Sequence, residues 1–227
     1  MYSQHIEHHK SHKVGWLRAA VMGANDGIIS TAALILGIAA SGSSENAILL
    51  AGSSGLVAGA MSMAAGEYVS VSSQADTQKA DIELERKALE ENPEEELEEL
   101  VNIYKKRGLD DQLSRKVANQ LMDKNALQTH MRDEIGITDV ADASPLSAAW
   151  SSALSFVIGA AMPLLSVWLS PPEDSQFVVA ISTVLFLIIL GGLAAYTGGA
   201  NILKGSFRVT FWGSMAMIVT TGIGKLF

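Results

Sequence analysis

Carboxylates and thioethers recur at helical spacing in this chain. Met22 and Asp26 stand four residues apart in VMGANDGIIS, and Met63 and Glu67 four apart in AGAMSMAAGEYVS, with Met61 close by. Further on, Asp81 and Glu85 are four apart, as are Glu95 and Glu99, while Glu96 and Glu99 are three apart. Residues at those separations share one helix face, where like charges repel by about 0.2–0.5 kcal/mol. A solvated acidic face accommodates such pairs. So does a set of faces converging on a divalent cation that relieves the repulsion. Oxygen ligands suit Mg2+, Ca2+ and Mn2+, and a thioether nearby shifts the preference towards a softer ion such as Fe2+. His130, Met131 and Glu134 offer that mixture within five residues.

The elements that must carry these groups are of two kinds. Of the 227 residues, 48% are apolar, and mean hydropathy is +0.25. The apolar residues fall in five blocks, about 15–40, 46–70, 146–169, 176–200 and 209–226, the last being the shortest. About 20 apolar residues in a helix cross a hydrocarbon core of ~30 Å. Barrel strands alternate in polarity over about ten residues, a pattern absent here. The sequence therefore predicts an all-α membrane protein with five transmembrane helices and a helical-bundle insert between spans two and three. Its parts are a polar arm at 1–14, spans one and two at 15–73, an acidic insert at 74–145, and spans three to five at 146–227.

The polar start and the length of the first apolar block speak against a cleavable signal. There is no cysteine, which removes disulfides, thiolate metal sites and cysteine nucleophiles. Lys10, Lys13, Arg18, Lys204 and Arg208 fall on alternate connections, whereas the loops 41–45 and 170–175 carry no positive charge. The positive-inside bias then places the N-terminus, 74–145 and the 199–208 loop in the cytoplasm, with the C-terminus outside. In a bacterium this multi-pass protein belongs in the inner membrane.

The insert holds eighteen Asp and Glu against ten Lys and Arg, an excess of eight that matches the net charge of −8 for the whole chain. Such a surface repels nucleic acid. Helix formers run unbroken from span two to Asn92-Pro93, so span two continues into the cytoplasm as one long helix. Pro93 suits a first turn. Acids then precede bases, Gly108 offers a C-cap, and Leu97, Leu100, Val101 and Tyr104 form an apolar stripe. A third helix is expected over about 110–124 and a short fourth over 126–135, ending at Gly136. So few apolar residues suggest a bundle that leans on a second copy of the chain.

Asp26 lies about eleven residues into span one, roughly 16 Å of helix rise, too deep to snorkel. An ionisable group in a span marks a functional site by default, the alternative being a neutral acid bonded to Asn25 or a neighbouring helix. Glu67 is near the cytoplasmic end, where water reaches it. Gly23 and Gly27, like Gly55 and Gly59, have the spacing that lets helix backbones approach closely. The histidines His5, His8, His9 and His12 have the chemistry to bind a metal, but a polar arm is the better reading of them.

The stretches GWLRAAVMGANDGIIST, GLVAGAMSMAAGEYVSVSSQAD, ENPEEELEELVNIYKKRGL and DEIGI, with the distribution of spans, resemble the vacuolar iron transporter family from about Gly15 to the end. The resemblance implies a five-span homodimer that exports Fe2+ and related divalent metals from the cytosol in exchange for protons. It implies that Asp26 and Met63 line the membrane path, with Glu67 near its mouth. It also implies that Glu85, Glu96, Glu99, Met131 and Glu134 form a cytoplasmic metal site. Ala88 and His130 depart from the family pattern, where glutamate and methionine are common, so the site is expected to hold fewer ions or prefer a different one. The metal is cargo; no permanent cofactor is implied. A path on the dimer axis brings two Asp26 carboxylates to one divalent ion, and the same pair carries two protons back. Two rival classes remain. A membrane-anchored metal buffer or sensor needs the insert but not Asp26, and an intramembrane enzyme finds neither a Ser–His dyad nor an aspartyl pair in the spans.

Overall fold

The computed structural model describes residues 14–137 and 144–227; the histidines of the N-terminal arm lie outside them. Among the described residues seven helices follow in order: α1 Val14–Ala40, α2 Glu45–Glu91, α3 Pro93–Lys106, α4 Asp111–Asp133, α5 Pro145–Leu169, α6 Ser175–Thr197 and α7 Ile202–Gly224. Among the described residues there is no strand. The chain divides into two compact units, Met1–Tyr68 with Pro145–Phe227, and Val69–Ser144. Helix α2 runs through both as one 47-residue helix, as its unbroken run of helix formers predicts.

In the first unit α1 is the hub, packed against α5, α6 and α7. Its Ala32, Ala33, Ile35, Leu36 and Ala39 meet Ile48, Val167, Val179 and Met217 in a buried cluster. The α1–α5 approach is made by glycine. A Cβ on Gly27 would collide with the Phe156 carbonyl oxygen, and one on Gly159 with that of Ala24, so only hydrogen lets these backbones meet. Outside this core the unit presents apolar side chains, among them Trp150, Trp168, Phe177, Leu185 and Trp212. A soluble surface avoids so broad an apolar patch, and a lipid-facing one requires it. Four helices, α1, α2, α5 and α6, are long and apolar enough to cross a bilayer. The fifth apolar block, 209–226, lies largely within α7 but does not join them. Lys204, Arg208 and a run of Gly, Ser and Thr dilute that helix, although it packs against α1 and α6.

The second unit is built from the end of α2 with α3 and α4. Pro93 takes the first helical position of α3 behind Asn92. The helix closes as the glycine signal predicts. Gly108 has φ +100°, its N–H donates to the Lys105 carbonyl, and that of Leu109 to the Tyr104 carbonyl; both bonds satisfy carbonyls left free at the helix end. Asp110 caps α4, accepting from the Leu113 N–H at 2.8 Å. Non-helical backbone at Asn125 (φ −167°, ψ 92°) breaks α4 into two pieces. The Asn125 side chain starts the second piece by accepting from the Gln128 N–H at 3.0 Å, and Gly136 follows its end with φ +80°. The two short helices expected from sequence are these pieces. Leu100, Val101, Tyr104 and Ala118 form the core between α3 and α4, which fixes the faces that point elsewhere.

Candidate metal centre and membrane cleft

Three helical segments each bring one face to a single point in the second unit. Helix α2 supplies Glu85, α3 supplies Glu96, the last turn of α4 supplies His130, and the residue capping that helix is Glu134. Three carboxylate oxygens and one imidazole nitrogen lie within 4.8 Å of one another. His130 is fully buried and Glu85 is 7% exposed. His130 Nδ1 is 2.9 Å from Glu134 Oε2, 3.0 Å from Glu85 Oε1 and 3.7 Å from Glu96 Oε2. Only the Glu134 contact has hydrogen-bond geometry. Glu85 Oε1 and His130 Nε2 are buried without a hydrogen-bond partner, and each such atom costs about 1–3 kcal/mol.

The electrostatics match that crowding. Burial, then repulsion from Glu134, Glu96 and Glu99, pushes the Glu85 carboxyl up despite the opposing His130 ring. Glu96 is raised too, first by burial and then by Glu99, Glu134 and Glu95, again against His130. Buried carboxylates that repel one another and lack donors are poor structural glue. They are good ligands for a hard or borderline divalent cation, which supplies the missing positive charge. An imidazole nitrogen in place of a water or a fourth carboxylate adds affinity for borderline ions.

The sequence-expected ligands thus separate. Glu85, Glu96, Glu134 and His130 converge. Glu99 is exposed beside Glu94, Glu95 and Glu98 on the outer face of α3, acting on the cluster only through its charge. Met131 is buried next to His130 in sequence; Asp81, one turn before Glu85, is half-buried and is not among the clustered acids. Beside the cluster stands a group that spacing alone does not reveal. Asp133 is bonded to Tyr104, Arg107 and Arg132. The available signal was Tyr104 itself, an aromatic with a polar tip on an apolar stripe, which needs a partner when buried.

In the first unit, Asp26 and Met63 line one cleft of about 220 Å³ with Ser30, Thr31, Leu34, Gly55, Gly59, Ser62 and Phe156. Gly23 and Gly27 turn towards α5, with Phe156 and Ser155 as their neighbours. Asp26 is left facing the open side of α1, where its residue is exposed in the single chain. Gly59 leaves room for the Phe156 ring. Met22 is exposed and Glu67 half-buried, and neither lines the cleft. The hydroxyls of Thr31 and Ser62 were not singled out by spacing. Thr31 is 2% exposed and its Oγ1 has no partner.

Comparison with known proteins follows the same lines. The model of the VIT family matches residues 17–225. A vacuolar iron transporter of Acanthamoeba castellanii is 46% identical over 225 residues, covering 97% of this chain and 82% of that protein. Vacuolar iron transporter homolog 1 of Oryza sativa subsp. japonica is 38% identical, covering 93% and 74%. Vacuolar iron transporter homolog 2.1 of Arabidopsis thaliana is 35% identical, covering 92% and 80%. With nearly its whole length matched, and with a carboxylate-rich cluster and a carboxylate-bearing membrane helix in place, this chain belongs to the VIT family.

Proposed function

We propose that this protein carries Fe2+, and with it Mn2+, out of the cytosol in exchange for protons. The observation that carries the reading is the cluster of Glu85, Glu96, His130 and Glu134, whose ligand atoms lie within 4.8 Å of one another in a chain similar along most of its length to vacuolar iron transporters. The cluster captures the ion on the cytoplasmic side. Asp26 and Met63 then form the membrane step, the carboxylate balancing charge and the thioether tuning preference among metals. Glu67 and Met22 lie towards its mouth.

Five spans serve this reading, α7 being the fifth, with the N-terminus and residues 74–145 in the cytoplasm and the C-terminus outside. The working unit is a homodimer in which two Asp26 carboxylates face one path. The apolar stretch of α2 is only 17% buried, as expected of a helix that meets a second copy or lipid. One divalent ion outward against two protons inward is charge-balanced with no other residue type.

A second reading is a membrane-anchored metal buffer, favoured by one fact: all four clustered residues lie within the unit Val69–Ser144. Metal flux into proteoliposomes, with and without a pH gradient, separates the two. A transporter gives flux that a proton gradient accelerates; a buffer binds metal and moves none.

A further inference from the structure

Asp133 is the carboxylate next to Glu134 in sequence, yet it does not join the cluster. Its side chain is 6% exposed and fully occupied. The Tyr104 hydroxyl donates to Oδ2 at 2.7 Å. Arg107 spans the side chain and the backbone, donating from one guanidinium nitrogen to Oδ1 at 2.7 Å and from the other to the Asp133 carbonyl at 3.0 Å. Arg132 donates to Oδ2 at 2.5 Å. The Arg107 guanidinium also packs over the Tyr104 ring, 5.5 Å from its centroid. Tyr104 belongs to α3 and Arg107 caps its end, while Asp133 is the last residue of α4. The network therefore ties the end of α3 to the turn of α4 that carries His130 and Glu134. Glu96 sits on α3, two turns before Tyr104.

We propose that Tyr104, Arg107 and Asp133 form a positioning clamp that holds Glu96 on α3 in register with His130 and Glu134 on α4, and so sets the affinity of the metal site. The proposal rests on the metal-site reading above. Its physical basis is that the site's own members cannot hold themselves together without cargo. Glu85, Glu96 and Glu134 repel one another, and His130 offers a single aligned bond. Some other interaction must keep α3 and the end of α4 from parting in the empty state, and a preorganised site avoids that cost at binding. Burial and the neighbouring Asp133 push the Tyr104 hydroxyl up to about 12, so it stays a donor. Asp133 receives three donors on its two carboxylate oxygens, from Tyr104, Arg107 and Arg132. Charge-assisted and two-pronged bonds of this kind fix geometry as well as adding energy. Because its charges are spent on one another, Asp133 is a positioning residue and not a ligand.

The test uses the full chain in lipid nanodiscs, titrated with Mn2+ by calorimetry, and the electron paramagnetic resonance spectrum of the bound ion. Tyr104→Phe removes one hydroxyl, keeps the buried ring and leaves every charge in place, so it separates geometry from field. Binding about fivefold weaker than wild type is expected, with a broadened Mn2+ spectrum and unchanged helicity. Asp133→Asn should lose more than tenfold, and Arg107→Lys, which keeps charge but loses the fork, should fall between. Glu96→Ala is the reference for the site itself. If Glu96→Ala weakens binding while Tyr104→Phe and Asp133→Asn leave affinity and spectrum unchanged, the clamp is refuted and the metal site stands. If Glu96→Ala also changes nothing, the metal site falls and the clamp with it. If a variant unfolds, Tyr104→Phe decides, since its ring still fills the core.

Discussion

Replacing Glu85 by glutamine should move two properties in opposite directions: metal affinity falls while the metal-free unit becomes more stable. The side chain is nearly fully buried and its Oε1 has no hydrogen-bond partner, so the amide loses no bond that the carboxylate makes there. What it removes is charge. A carboxylate oxygen within 4.8 Å of another repels it by at least about 3.5 kcal/mol at an effective dielectric of 20, and Glu85 has two such neighbours. The His130 ring offsets part of this, but burial and repulsion win, as the raised Glu85 carboxyl shows. After screening at the half-open Glu134 edge, a gain of about 1 kcal/mol is a fair expectation. The sign with pH follows. An acid whose folded pKa is raised contributes stability that is present below its ordinary value of 4.5 and lost as pH rises through the folded value. In EDTA, wild-type α3 and α4 should therefore loosen as pH rises from about 4.5 through the raised folded value and change no further above it, and Glu85→Gln should flatten that trend. Hydrogen exchange read by mass spectrometry measures it directly: amides of α3 and α4 should exchange about fivefold more slowly in the variant at neutral pH. Faster exchange without metal would mean that Glu85 anchors the fold through His130, and the electrostatic reasoning would be wrong.

Three further outcomes follow from the same geometry. His130→Ala opens a cavity at a fully buried position and removes the nitrogen ligand, so Mn2+ binding measured by calorimetry should weaken at least tenfold, and more for Mn2+ than for Mg2+. Gly27→Ala drives a methyl into the Phe156 carbonyl; with backbone on the other side, strain of about 1–3 kcal/mol or more is expected, read as a lower melting temperature in detergent, whereas Gly66→Ala, which meets nothing within 4 Å inside α2, should leave that temperature the same or higher. A single cysteine at position 43, on this cysteine-free background, should react with an impermeant reagent from outside and not from the cytoplasmic side.

Much of this molecule is legible in the sequence because the relevant signals are local. Pro93, Gly108 and Gly136 fix helix ends through backbone chemistry that needs no partner, and α3 and α4 begin and end beside them. The long apolar blocks show helices, though α7 illustrates the limit: its Lys204 and Arg208 leave its composition below that of the other four apolar helices. Helical spacing found the carboxylates but could not rank them. Glu96 and Glu99 are three apart and look equivalent, yet only Glu96 turns towards His130, because Leu97, Leu100 and Val101 commit the α3 face. The long-range partners were invisible. Nothing within α4 says that Asp133, beside Glu134, is claimed by Tyr104 29 residues earlier. Likewise Asp26 and Met63 share a cleft with Phe156, a residue far away in sequence whose ring finds room beside α2 because Gly59 has no side chain.

The most direct measurement is paired metal and proton flux through purified Asp26→Asn in liposomes, beside wild type. The amide keeps the shape of the protonated acid and removes a burial cost of ~2.5–3.5 kcal/mol for the ionised form, so the variant should fold and still bind Mn2+ at the Glu85–Glu96–His130–Glu134 cluster. It should move neither metal nor protons, while Met63→Ala transports with altered preference among metals. Wild-type flux from Asp26→Asn would contradict the proposed path and leave Asp26 a structural residue.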